Sequence, residues 1–188
     1  MSGRVFLANV GANASHRFAG PLFDDSTFEF LPIPEDRDLP PGHTVRYRDL
    51  RSFNRPGSDL LKYVPRRLWD RSTHNDPEFE TFTYGDNSET TSRGAALKRL
   101  RPGDRLAFLA RLERWHQGRA TGQFGFYLVG FLEIASADWA LKSVWARPEA
   151  VTLSPFMLNA HVRRGLGDVA LWAWVERHQS ATPTRASG

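Results

Sequence analysis

The chain has 188 residues, 40% hydrophobic and 24% charged, enough to bury a core of its own. A formal net charge of +4 is too small to make the whole surface a polyanion-binding one, so any basic site must be local. The absence of cysteine removes disulfides, thiolate nucleophiles and sulfur-built zinc sites, and agrees with a reducing cytoplasm.

Residues 1–180 are expected to form one domain and 181–188, small and polar, a disordered tail. No stretch approaches the ~20 apolar residues of a membrane-spanning helix. Arg4 to Val10, rich in Val, Phe and Leu, reads as a central strand. Leu22-Phe23 and Thr27 to Leu31 flank Asp24-Asp25-Ser26 as a hairpin. Pro32, Pro34, Pro40 and Pro41 then enforce an extended, irregular crossing. Ser58-Asp59 can cap a short helix through Tyr63, and Glu80 to Tyr84 alternates as a half-buried strand does.

Thr91-Ser92 can open a helix through Leu100, ended by the Pro102-Gly103-Asp104 turn. Two strands follow, Arg105 to Arg114 and Phe124 to Ile134, joined across the polar loop His116 to Gln123 as an antiparallel hairpin. Ser136-Ala137-Asp138 can cap a short helix containing Trp139, and Val169 to Trp174 reads as a closing strand. Without strict βαβ alternation, the fold class is α+β: a small mixed β-barrel with peripheral helices.

The residues from Leu97 to Glu133 give a helix, a Gly103-Asp104 turn, an apolar strand and a strand carrying Val129-Gly130-Phe131-Leu132-Glu133. This order resembles PUA-like domains, including the EVE and ASCH groups. The first strand, Gly20-Pro21 before the acidic hairpin, Leu31-Pro32-Ile33-Pro34, Asp76-Pro77 and Gly103-Asp104 together resemble the nucleotide modification associated domain 3 group. That resemblance implies a link to modified nucleotides or nucleic acid and names no reaction.

A reader of extruded bases needs aromatic faces and polar edges, because stacking returns ~1–3 kcal/mol per base. Tyr84 and Trp115, each ending an expected strand beside polar residues, are the stacking candidates. Asp86 and Asn87 offer donors and acceptors for a base edge, with Gly85 permitting close backbone approach. Asn159, His161 and Arg163 would point the same way on a strand, two reading a base and the third holding phosphate. Arg46, Arg48, Arg66 and Arg67 belong to a basic stretch that could follow a phosphate backbone. For each of these the competing account is structural: a packed ring, an Asx turn, a solvated basic face.

Phosphate-loop, nucleophile-elbow and zinc-helix motifs are absent, and no catalytic residue, metal or cofactor is assigned. The expectation is therefore a non-catalytic module that binds a modified nucleotide or a base in nucleic acid, away from membranes. It could serve a separate nuclease or modification enzyme. One alternative is a nucleotide-processing or metal-dependent enzyme using Asp76, Glu78 or Asp86 with His74 or His161. Another is a protein-interaction module.

Overall fold

Apolar runs with period-two burial build the longest elements of this chain. The computed structural model describes residues 3–36, 39, 45–80, 82–86, 92–97, 99–134, 136–138, 159–163 and 172–174. Strand β1 (Val5–Val10) buries Ala8 and Val10 and exposes Val5 and Leu7. Short strands follow: β2 (Gly20–Leu22), β3 (Ile33–Pro34), β4 (Thr73–His74) and β5 (Thr83–Tyr84). Helix α1 (Ser92–Leu97) precedes the two long strands β6 (Arg105–His116) and β7 (Arg119–Glu133). Strand β8 (Ser136–Asp138), helix α2 (Ala160–Arg163) and strand β9 (Trp172–Trp174) complete the described elements.

Strand β6 pairs with β1, β2 and β7. Its partner β2 is parallel, placing Gly20, Pro21 and Leu22 opposite Leu112, Glu113 and Arg114. Strands β3 and β4 are antiparallel, with Ile33 opposite His74. A third sheet has the order β5-β9-β8, with Thr83 and Ser136 both opposite Trp174.

The chain divides into two compact units. The first gathers Met1–Ala8, Asn75–Ala107 and Phe131–Gln179; the second gathers Asn9–His74 and Phe108–Gly130. In the first, Leu97, Leu100, Leu106, Leu132 and Ile134 are buried. Its turn at Gly103 needs a positive φ of 86°, which glycine adopts without a Cβ penalty, and the Gly103 N–H donates to Ile134 O at 2.8 Å. Asp104 locks this corner. Its Oδ1 accepts from the Arg4 backbone N–H at 2.9 Å, and its Oδ2 from the Arg4 guanidinium at 2.6 Å and Arg101 N–H at 2.9 Å. The Arg4 hydrogen bond holds the Asp104 carboxyl down at about 2.

In the second unit, Phe18, Leu31, Tyr47, Leu60, Tyr63 and Val64 form the core, with Trp69 and Trp115 packed against it. Tyr47 meets Phe18 edge-on at 5.8 Å and donates its hydroxyl to Pro32 O at 2.7 Å, so the buried ring keeps a partner for its polar tip. Burial pushes its phenol well above the usual tyrosine range.

The α+β class holds, as strands with few helices, but the described residues form three separate sheets and no closed barrel. The Asp24-Asp25-Ser26 turn forms as expected, with Phe23 N–H donating to Thr27 O at 2.8 Å. Asp59 Oδ1 accepts from Leu61 N–H at 2.8 Å, but the helix it starts is the single 3-10 turn Leu61–Tyr63.

Other expectations are corrected. Strand β1 is not central: among the described residues its one strand neighbour is β6. The loop of β6 and β7 is not His116 to Gln123 but Gln117-Gly118 alone. Both residues have positive φ, 48° and 76°, the two-residue turn that matches strand twist. The Glu80 to Tyr84 strand shrinks to Thr83–Tyr84. Glu78 and Thr83 exchange both backbone hydrogen bonds at 2.9 Å, which closes a tight loop through Phe82 at φ 56°. Ser136 to Asp138 forms β8 rather than a helix cap, because its backbone pairs with β9.

Of Val169 to Trp174, the described part is the strand β9. Pro40, Pro41, Trp139 and the expected tail at 181–188 lie outside the described residues. Among the described residues no helix is long and apolar enough to cross a membrane.

Candidate functional site

Besides Asp104, the first unit buries the polar side chains of Asp76, Glu78, Thr83, Asp86 and Asn159. Burying such groups is costly unless each finds a partner, so their bonds define what the cluster can do. Strand β5 supplies Thr83 and Tyr84, the residues just beyond it supply Gly85 and Asp86, and the start of α2 supplies Asn159 and His161.

Asp76 is the hub. Its Oδ1 accepts from the Gly85 N–H at 3.0 Å and from Asn159 Nδ2 at 2.9 Å, while its Oδ2 lies 3.6 Å from His161 Nε2. Asn159, 0% exposed, also donates to Thr83 Oγ1 at 3.2 Å and accepts from the His161 N–H at 3.0 Å. Both its amide hydrogens and its carbonyl are therefore engaged within the chain. Asn159 is a clasp that fixes Asp76 and the first turn of α2.

His161 packs on the backbone at Gly85. A Cβ placed there would lie 2.7 Å from His161 Cδ2 and 3.3 Å from Asn159 Oδ1. The close approach that glycine permits is thus to His161, and not, as the sequence reading has it, to a ligand. The His161 side chain is 11% exposed against 4% for Asp76, so in this pair the imidazole is the member nearer solvent. Chemically, a carboxylate beside an imidazole orients the ring, an arrangement suited to a polar-edge contact or to proton transfer. Asp76 and His161 are also ligand types that a divalent cation accepts.

A family model described as nucleotide modification associated domain 3 matches residues 4–179. The chain belongs to that family. Its name ties the chain to nucleotide modification. No curated protein and no solved structure matches it.

Within this nucleotide modification associated domain 3 chain, the residues expected from sequence are dispersed. Tyr84, Asp86, Asn159 and His161 are all in the first unit. Tyr84 is 3% exposed, and its hydroxyl donates to Asp86 Oδ2 at 3.3 Å, so its ring is a packed one and offers no stacking face as it stands. Asn87 lies outside the described residues. The strand alternation expected to align Asn159, His161 and Arg163 is replaced by α2, on which residues two apart do not share a face. The Arg163 side chain lies outside the described residues.

Trp115 is in the second unit, half-buried, and meets Tyr63 edge-on at 4.7 Å. Arg46, Arg48, Arg66 and Arg67 are in that unit too, all exposed. Arg46 bridges Ser72 through its backbone, Arg48 pairs with Asp70, and Arg66 lies over the Trp69 ring at 5.8 Å. The Arg67 guanidinium reaches His16 O at 3.5 Å. His74, expected as an alternative acid, base or ligand, is buried and bonded to Glu35 Oε1 at 2.8 Å.

Sequence reasoning missed the role of Asp76 as hub and that of Thr83 altogether. Asp76 and Asn159 are 83 positions apart, and no local spacing announces a bond across that interval.

Proposed function

We propose that this chain is a binding module of nucleotide modification, recognising a modified nucleotide or a base in nucleic acid through a polar edge centred on His161. The observation that carries this reading is the Asp76–His161 pair. Asp76 is pinned by the Gly85 N–H and Asn159, leaving its second oxygen 3.6 Å from His161 Nε2, while the ring's Nδ1 is buried. An imidazole so held is a rigid group, of the kind that discriminates base substituents once a ligand uncovers its Nδ1. In this reading Asp76 and Asn159 position the ring, and the ligand touches His161.

The family match over 4–179 supports taking residues 1–180 as one module. The order α1, Gly103-Asp104 turn, β6, β7 supports a PUA-like relation. The partners are nucleic acid or modified nucleotides, with a separate nuclease or modification enzyme acting on what is bound. The lack of cysteine supports a reducing, cytoplasmic setting.

The test is a binding screen over modified and plain DNA and RNA at several salt concentrations. The reading expects a preference for one modified base that is lost in His161→Ala while the fold is kept. No preference at any salt concentration contradicts it.

The same pair favours a second reading, in which His161 moves a proton as part of a nucleotide-processing reaction and Asp76 orients its ring. The two separate cleanly. Turnover of nucleotides with added divalent cation, abolished in His161→Ala with substrate binding retained, establishes the enzyme. Loss of binding without any turnover in the parent chain establishes the reader.

A further inference from the structure

The second unit contains a cavity of about 490 Å³ between the 3-10 turns Tyr47–Asp49 and Leu61–Tyr63 and the loop that joins them. That volume falls within the roughly 300–1,000 Å³ of pockets that hold small organic ligands. The loop forming its wall is tied from beneath. Buried Glu29 accepts from Ser52 Oγ at 2.5 Å and from the N–H groups of Phe53 at 3.0 Å and Asn54 at 3.2 Å. Arg55 pairs with Asp25 at 2.7 Å and lies over the Phe23 ring at 3.8 Å. A wall held by so many directed bonds is preorganised, which lowers the ordering cost of binding.

The lining is chemically mixed in an informative way. Arg48, Arg51, Asp59, Leu50, Pro56 and Leu61 are among the residues that line the cavity. Arg48 is oriented by its ion pair with Asp70. Arg51 is exposed and makes no ion pair among the described residues. Asp59 uses Oδ1 to accept from the Leu61 N–H, and its Oδ2 has no hydrogen bond among the described residues. With Arg48 taken by Asp70, the ligand that matches the Arg51 cation, one acceptor and apolar lining is anionic, hydroxyl-bearing and partly apolar.

We infer that this cavity binds a nucleoside monophosphate. Arg51 takes the phosphate, since a guanidinium presents the forked donors a phosphate accepts. Asp59 Oδ2 accepts from a ribose hydroxyl, and Leu50, Pro56 and Leu61 cover the base. The inference rests on the family's tie to nucleotides and does not require the base-reading role of His161.

The test is calorimetric titration of the full chain with adenosine 5′-monophosphate, adenosine and inorganic phosphate, for the parent, Arg51→Ala, Arg51→Lys and Asp59→Asn. Circular dichroism checks each fold. The monophosphate is expected to bind at least about tenfold tighter than adenosine or phosphate alone. Arg51→Ala should weaken it at least about tenfold, Arg51→Lys less, and Asp59→Asn should weaken the monophosphate but not inorganic phosphate.

Absence of monophosphate binding, equal affinity for inorganic phosphate, or no effect of Arg51→Ala overturns the inference. Because the probe carries an unmodified base, failure here is distinct from failure of modified-base recognition. That reading is tested with base-modified nucleosides lacking phosphate.

Discussion

His161 rests on the backbone of Gly85 so closely that one added methyl at Gly85 would lie 2.7 Å from its Cδ2. The imidazole is therefore held between the Gly85 backbone and Asp76, and the two contacts set its orientation together. Gly85→Ala is expected to cost about 1–3 kcal/mol through overpacking and to move the imidazole away from Asp76. Urea denaturation reads the first effect and the His161 ring resonances read the second.

Asn159 donates to Asp76 and Thr83 and accepts from the His161 N–H, all without solvent. Asn159→Ala leaves those groups short of partners, at a cost of about 1–3 kcal/mol. Asn159→Asp is expected to be worse near neutral pH, because it sets a second carboxylate against Asp76. Acidification should relieve it, since protonating either group restores a donor. Equilibrium unfolding of both variants across pH checks the order and its change.

Asp104 is held at about 2 by the Arg4 guanidinium and by backbone donors, against a carboxyl value near 4 in the unfolded chain. A folded value below the unfolded one means the unfolded state takes up the proton first. The contribution is complete above about pH 4 and disappears as pH falls through 2. It is about 1–2 kcal/mol, allowing for the half-exposed Arg4 side chain. The difference in stability between the parent and Asp104→Asn should shrink over that window.

Glu29→Gln exchanges one acceptor oxygen for an amide NH2, which faces either the Phe53 N–H or, with the amide turned, the Asn54 N–H and Ser52 hydroxyl. A loss of about 1–3 kcal/mol follows from the unmatched donors. The amides of residues 52–54 should exchange faster with solvent than in the parent, while those of β6 stay protected. Hydrogen exchange measures both.

Elements carried by local pattern were legible in the sequence. The alternation in β6 and β7, the Asp24-Asp25-Ser26 turn and the Gly103-Asp104 corner all follow from residues close together in the chain. The lengths of β6 and β7 were not. The polar residues His116 and Arg119 to Gln123 read as loop, yet β6 and β7 continue through them, because a two-residue turn with positive φ at Gln117 and Gly118 lets the strands pair to their tips.

The buried polar cluster was partly legible. Asp86, Asn159 and His161 were singled out for their chemistry, and the first unit contains all three. Tyr84 and Trp115 were singled out as stackers, but tertiary packing uses their rings, one sealed beside Asp86 and one against Tyr63. Asn159 was expected to touch a ligand, and its buried amide instead binds the chain. Periodicity reports which face is apolar; it does not report which distant polar groups will meet when two faces close.

The central claim is that His161, braced by Asp76, is the edge that touches the base. NMR titration of the full chain with base-modified and plain nucleosides, following the His161 ring and the Asn159 side-chain amide, tests it directly. The account predicts a saturable shift of the His161 ring for a modified nucleoside, with the Asn159 amide following along the same binding curve, and no such shift for the plain one. Binding that leaves both signals in place, or no binding by any modified nucleoside, would contradict it.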